Sequence, residues 1–73
     1  MDTLEARFGK RLRHLRRRAD LSQEQLAERI GKSVDLVSMI ERGRVAPSFR
    51  TLDDLAVALD VRVYELFMFE SAG

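Results

Sequence analysis

Between Ile30 and Val34 the chain must end one helix and begin another, and this constrains its fold more tightly than any other stretch. Gly31 is placed to stop a helix in the left-handed conformation. Only Lys32 intervenes before Ser33, a side chain suited to cap the next helix. Upstream, Ser22-Gln23-Glu24-Gln25 reads as a capping box, in which the Ser22 hydroxyl accepts the Gln25 amide and Gln25 reaches back. Leu21 and Leu26 take the staple positions around it, and Leu26, Ala27 and Ile30 form the buried face. The following helix, about 34–41, turns Leu36, Val37 and Ile40 inward and stops at Gly43. Val34, Asp35, Ser38 and Met39 fall on its opposite side. Two short capped helices around a tight turn, about residues 22–41, spell a helix-turn-helix. The spacing alone also describes an ordinary helical hairpin in a bundle.

Helical periodicity continues on both sides. Over residues 3–19, Leu4, Phe8, Leu12, Leu15 and Ala19 recur at intervals of three and four, one apolar stripe on an amphipathic helix. His14 points away from that stripe and reads as a plain surface histidine. Arg44-Val45-Ala46-Pro47 forms a loop. Ser48 caps a fourth helix through Leu59, with Leu52, Leu55, Ala56 and Leu59 on one face. A fifth helix, about 63–69, starts weakly because Arg62 occupies its cap position. No strand pattern competes, so the fold class is all-α with five helices. The stripes converge on a core of Phe8, Leu12, Leu15, Leu26, Ile30, Val37, Ile40, Leu52, Leu55, Leu59 and Leu66.

Length now matters. The 73 residues suffice for a single domain over 1–73, and a domain this small buries only roughly 60% of its unfolded-chain surface. With no cysteine and one histidine, neither a disulfide nor a structural zinc site is available as a staple. Helix packing, oligomerisation, or both must supply the stability. No apolar run approaches a membrane span. Asp2, Glu5 and Arg7 stand where a secretory apolar segment would lie, so an intracellular location is expected. His14 has no evident acid or nucleophile partner, and no Gly-rich phosphate loop or metal-ligand cluster is present. No enzyme activity, cofactor or metal is expected.

The net charge of +1 conceals an uneven distribution. Residues 1–18 hold seven basic side chains against two acids, and residues 51–73 hold one against five. Residues 42–50 hold Arg42, Arg44 and Arg50 with no acid. Such a dipolar molecule can present a positive face to a polyanion and keep an acidic back. Solvated helix faces account for most mixed-charge stretches, but a short loop gains nothing structurally from three unpaired arginines.

The run Leu21-Ser22-Gln23-Glu24-Gln25-Leu26-Ala27, then Gly31, Ser38-Met39-Ile40-Glu41-Arg42-Gly43, Pro47-Ser48, Thr51-Leu52, Leu55-Ala56, Ala58-Leu59 and Leu66-Phe67, resembles the Cro/phage-repressor family of helix-turn-helix proteins. The resemblance covers about residues 8–67 and includes controller proteins of restriction–modification systems, phage repressors and antitoxins. It implies a five-helix, lambda-repressor-like domain that binds duplex DNA, with residues 34–41 as the recognition helix in the major groove. It further implies a cytoplasmic, nucleoid-associated transcriptional regulator, acting as a homodimer on a pseudo-palindromic operator. By position, Gln23 opens the second helix at a phosphate. Ser33, Val34, Asp35, Ser38 and Met39 face the groove. Arg42, Arg44, Ser48 and Arg50 lie around the loop that tracks the backbone. Arg16 and Glu41 match a family ion pair tying the first helix to the end of the third.

The departures from the family pattern are informative. Lys32 stands where a small apolar residue is usual, and Val34 and Met39 where long polar side chains are common. The bidentate readers, Arg on guanine and Asn or Gln on adenine, are missing. Val34 and Met39 are left to touch thymine methyls and Asp35 to accept from cytosine N4. The acid also repels phosphates and so excludes sequences as well as selecting them. A protein-contact module, antitoxin-like or an adaptor, is the alternative that exposed Val34 and Met39 would suit; the loop arginines argue against it. Finally, Leu66-Phe67-Met68-Phe69 puts apolar side chains on every face of a short helix. Leu66 and Phe67 are expected to finish the core, leaving Met68 and Phe69 for a twofold partner.

Overall fold

The computed structural model describes residues 2–69. The outer residues of the domain read over 1–73, namely 1 and 70–73, lie outside this range. Four α-helices follow in order: α1 Leu4–Arg18, α2 Gln23–Ile30, α3 Val34–Glu41 and α4 Phe49–Leu59. A 3₁₀ helix over Val63–Phe67 is the last element among the described residues, in which no strand occurs.

Each α-helix begins on a hydroxyl cap. Thr3, Ser22, Ser33 and Ser48 accept the amides of Ala6, Gln25, Leu36 and Thr51 at 3.0–3.1 Å. At Ser22 the box closes, because the Ser22 amide donates to Gln25 Oε1 at 2.8 Å. Each α-helix also ends in the same way. The chain turns through a left-handed residue at Asp20, Gly31, Gly43 or Asp60. The next amide then reaches back five residues: Leu21 to Arg16, Lys32 to Ala27, Arg44 to Met39, and Val61 to Ala56, all at 2.9–3.1 Å. This Schellman geometry satisfies carbonyls that the helix end leaves orphaned. Glycine signalled two of the stops. The other two use aspartate, which tolerates this conformation better than most residues.

Every residue of the expected core is buried, and Leu21, Ala27 and Ala56 join it. Leu12, Leu26, Val37, Ile40, Leu55 and Leu66 form its solvent-free centre. The stripe on α1 is shorter than its periodicity suggests. Leu4 and Ala19 are exposed, because they lie at the helix ends, beyond the elements packed against its middle.

α1 crosses α3 at Gly9. A Cβ at this position would stand 2.5 Å from the carbonyl oxygens of both Ile40 and Glu41. The two backbones therefore meet directly, which only glycine permits. Gly43, at φ +74°, makes a second close approach, with its Cβ direction 2.8 Å from Ala6 Cα.

The end of the chain departs from expectation. Instead of a helix over 63–69, there is a single stretch of 3₁₀ helix, ending at Phe67. Arg62 provides no side-chain cap, and only the Glu65 carboxylate satisfies its amide, at 2.7 Å. Arg11 Nε fastens the segment to α1 by donating to the Glu65 carbonyl at 2.9 Å. Because the chain leaves helical geometry at Met68, Phe69 does not project as a helix would place it. It turns back, half-buried, with its ring 6.2 Å from that of Phe67 and 5.4 Å from the Arg7 guanidinium carbon. Phe67, expected inside, packs its ring against that of Phe8, the two centroids 5.1 Å apart and the planes tilted by 47°, and keeps part of its surface in solvent.

Candidate nucleic-acid interface

The helix-turn-helix consists of α2, the Gly31-Lys32-Ser33 turn and α3. A buried polar assembly fixes it against α1. Arg16 Nε and Nη2 donate to the two oxygens of Glu41 at 2.6 and 3.0 Å. Arg16 Nη1 donates to the Leu21 carbonyl at 2.8 Å, just before α2 begins. Gln23 Nε2 adds a third bond to the carboxylate, at 3.0 Å on Oε1. Both charged residues are only 8% exposed. A fork-to-fork pair of this kind fixes angle as well as distance. The cost of dehydrating it is offset by complete pairing, since no buried side-chain polar atom among the described residues lacks a partner. Thus the carboxylate at the end of α3 ties together α1 and the first residue of α2, and Arg16 extends the assembly to the turn before α2.

This places Gln23 differently from a free surface amide. One of its amide hydrogens is committed to Glu41, leaving one further donor. Ser33 and Ser48 are both exposed and engaged as helix caps. The Ser48 hydroxyl in addition lies 3.1 Å from Thr51 Oγ1, to which it donates. On α3, Val34 and Asp35 are exposed, whereas Ser38 and Met39 are half-buried. The outward face is therefore narrower than the helical projection suggests. Arg42, at the end of α3, Arg44 in the loop, and Arg50 in the first turn of α4 are all exposed. None has an acidic partner, since the ion pairs among the described residues are Lys10–Asp2 and Arg16–Glu41.

Sequence reasoning did not single out Arg13 and Arg17. With Gln23, Ser38 and Arg42 they line the mouth of a cleft whose floor is the Arg16–Glu41 pair. Their signal was the i, i+4 spacing on α1, each one residue after a member of the buried Leu12/Arg16 row. Phe49 was also overlooked. It is 91% exposed at the first position of α4, between Ser48 and Arg50.

Two short helices held at a fixed angle on a third, with unpaired arginines around the second, define a helix-turn-helix protein. Comparison with known proteins agrees: residues 7–66 match the family described as helix-turn-helix domain. An uncharacterised HTH-type transcriptional regulator of Sinorhizobium fredii is 43% identical over 80% of this chain and 75% of its own length. The immunity repressor protein of Bacillus phage phi105 is 40% identical over 75% of this chain, which spans 38% of that repressor. Among solved structures, the restriction-modification controller protein C.AhdI of Aeromonas hydrophila superposes with a TM-score of 0.84 at 43% identity, covering 86% of this chain and 96% of the controller. The chain belongs to the helix-turn-helix domain family, and its relatives are transcriptional regulators and repressors.

Proposed function

We propose that this protein is a sequence-specific, double-stranded DNA-binding transcriptional regulator that acts as a homodimer on a pseudo-palindromic operator. The observation that carries this reading is the set of exposed, unpaired arginines bordering α3, a helix that the Arg16–Glu41–Gln23 assembly holds in place. α3 enters the major groove with Val34 and Asp35 foremost, and Ser38 and Met39 at its edges. Arg42, Arg44 and Arg50 contact phosphates, and the hydroxyls of Ser33 and Ser48 stand at the same border. Regulation of this kind takes place on chromosomal DNA, at the nucleoid in the cytoplasm.

The twofold surface is best assigned to the 3₁₀ helix and its exit. Met68 is 53% exposed and Tyr64 63%, and Phe67 shows part of its ring beside them in sequence. Phe69 supports this surface from behind rather than forming its tip. Dimerisation would bury these residues and set two α3 helices to read half-sites about one helical turn apart.

Selection from a random duplex pool, followed by salt titration, tests the proposal. Loss of Arg44 or Arg50 weakens all duplexes alike and lowers the log–log salt slope by roughly 0.9. Asp35→Asn changes the base preferred at one position, by about 1–3 kcal/mol, and leaves the slope intact. A pool that emerges unenriched would end the claim of sequence specificity. The protein-contact alternative draws on the exposed apolar side chains of α4, Phe49 and Val57. It predicts that no duplex is retained at any salt concentration.

A further inference from the structure

The cleft between α1, α2 and α3 carries more positive charge than its floor can use. Arg16 and Glu41 neutralise each other, and Glu41 has both oxygens occupied. Arg13, Arg17 and Arg42 stand around the same cleft, exposed, and none pairs with an acid among the described residues. Arg13 and Arg17 are four residues apart on one helix, where like charges repel. Their repulsion works against what Arg17 gains from standing in the last turn of α1, and an anion in the cleft would convert that repulsion into attraction.

The position of the cleft identifies the anion. Ser38, from the outward side of α3, lines it together with Arg42, from the end of the same helix. A duplex that receives α3 in its groove must then pass a backbone strand across the cleft mouth. The second amide hydrogen of Gln23, whose first is held by Glu41, is available there as a neutral donor.

We infer that Arg13 and Arg17, with Arg42, form a phosphate site that grips one backbone phosphodiester of the bound DNA. This rests on the DNA-binding reading above and extends the contact surface onto α1, separately from the loop that carries Arg44 and Arg50. Glu41 acts in it as a positioning residue, since it holds Gln23 at the edge of the cleft. Phosphate contacts fix register without reading sequence. The site thus sets how α3 lies in the groove and leaves the choice of bases to α3.

The test uses the full chain, a duplex recovered by selection, and binding measured by fluorescence anisotropy across a salt series. Arg13→Ala and Arg17→Ala should each reduce the log–log salt slope by about 0.9, and the double variant by about 1.8. The preferred sequence should stay the same. Arg18→Ala is the control, being exposed on the same helix but outside the cleft, and should leave the slope unchanged. If Arg18→Ala lowers the slope as much as the others, only net charge matters and the site is refuted. An unchanged slope in the double variant, with wild-type protein still binding DNA, refutes the site and spares the DNA-binding reading. If wild-type protein binds no duplex, that reading fails and the phosphodiester assignment fails with it. Titration with inorganic phosphate, followed on the Arg13 and Arg17 Nε–H resonances, then shows whether the cleft takes a small free anion instead.

Discussion

Replacing Gly9 by alanine pits two opposing effects of known size against each other. In a helix interior alanine is favoured over glycine by about 1 kcal/mol, so intrinsic propensity predicts a gain. The crossing with α3 predicts a loss. The new Cβ would sit 2.5 Å from two backbone carbonyl oxygens, while ordinary contact begins near 3.4 Å. Neither oxygen belongs to a flexible side chain, so the helices must part by about 0.9 Å. Overpacking of this kind costs roughly 1–3 kcal/mol. The same movement would stretch the Arg16–Glu41 bond from 2.6 Å to about 3.5 Å, the limit of hydrogen bonding. A weakened charged hydrogen bond adds part of a further ~1.5–3 kcal/mol. After the propensity gain is subtracted, the net loss is about 2 kcal/mol, or roughly 8–16 °C in Tm for a domain of this size. Thermal melts followed by circular dichroism measure it. Gly31→Ala is a useful contrast, because nothing lies within 4 Å of its added Cβ and only its φ of +67° is at stake. That change should cost about 1–2 kcal/mol, and Gly31→Asn should recover part of it. A Gly9→Ala protein that melts at or above the wild-type temperature would refute the direct backbone crossing.

Three further outcomes are expected. Arg16→Ala and Glu41→Ala should each destabilise the fold by about 3 kcal/mol, the lower end of the range for breaking a buried pair, since each residue keeps 8% exposure; a double-mutant cycle with no coupling energy would show that the pair contributes no mutual stabilisation. Asp60→Ala should cost roughly 1 kcal/mol and Asp60→Gly less, because φ is +54° there; equal melting of the two variants would remove the left-handed cap from the account. The Lys10 ammonium, hydrogen-bonded to Asp2 at 2.9 Å, holds the Asp2 carboxyl below its ordinary value of 3.8. Its contribution is therefore complete above that value and lost as the pH falls through the lowered one. A carboxyl NMR titration should show the lowered midpoint, and Lys10→Ala should raise it toward the ordinary value.

What was legible in the sequence shares one property: it is decided within a few residues. The caps at Ser22, Ser33 and Ser48 and the stops at Gly31 and Gly43 follow from local hydrogen bonding and from glycine's freedom at positive φ. The core followed from periodicity, since a stripe must be buried wherever it occurs. The Arg16–Glu41 pair lies 25 positions apart and came from resemblance, not from local pattern. What stayed hidden depends on distant partners. Gly9 reads as an unremarkable weak spot in a helix until α3 is laid against it. Asp20 and Asp60 act as helix stops only because the following residues, Leu21 and Val61, pack against the core. The last segment misled because its continuous apolar run carries no period. Whether Phe67 or Phe69 turns inward depends on where the helix gives out, which no periodicity in an all-apolar run marks.

These hidden features converge on one helix. α3 is only eight residues long, too short to persist in water on its own. Its interior face is held by Val37 and Ile40 in the solvent-free core. Its backbone touches α1 at Gly9, and its last residue is bonded to Arg16 and Gln23. Gly43, just beyond, turns the chain against Ala6. Three of these restraints lie within four residues at the carboxyl end of α3. The amino end has the Ser33 cap and the turn from α2, and its exposed residues, Val34 and Asp35, are the ones that the proposed binding mode offers to the groove. Under that proposal, recognition sits at the end of a lever whose other end is clamped. A small shift at the clamp, such as the one Gly9→Ala would force, moves Val34 and Asp35 without altering them. On this reasoning, substitutions at Gly9 that still allow folding should change which sequence is preferred as well as stability, although Gly9 is buried in the contact with α3.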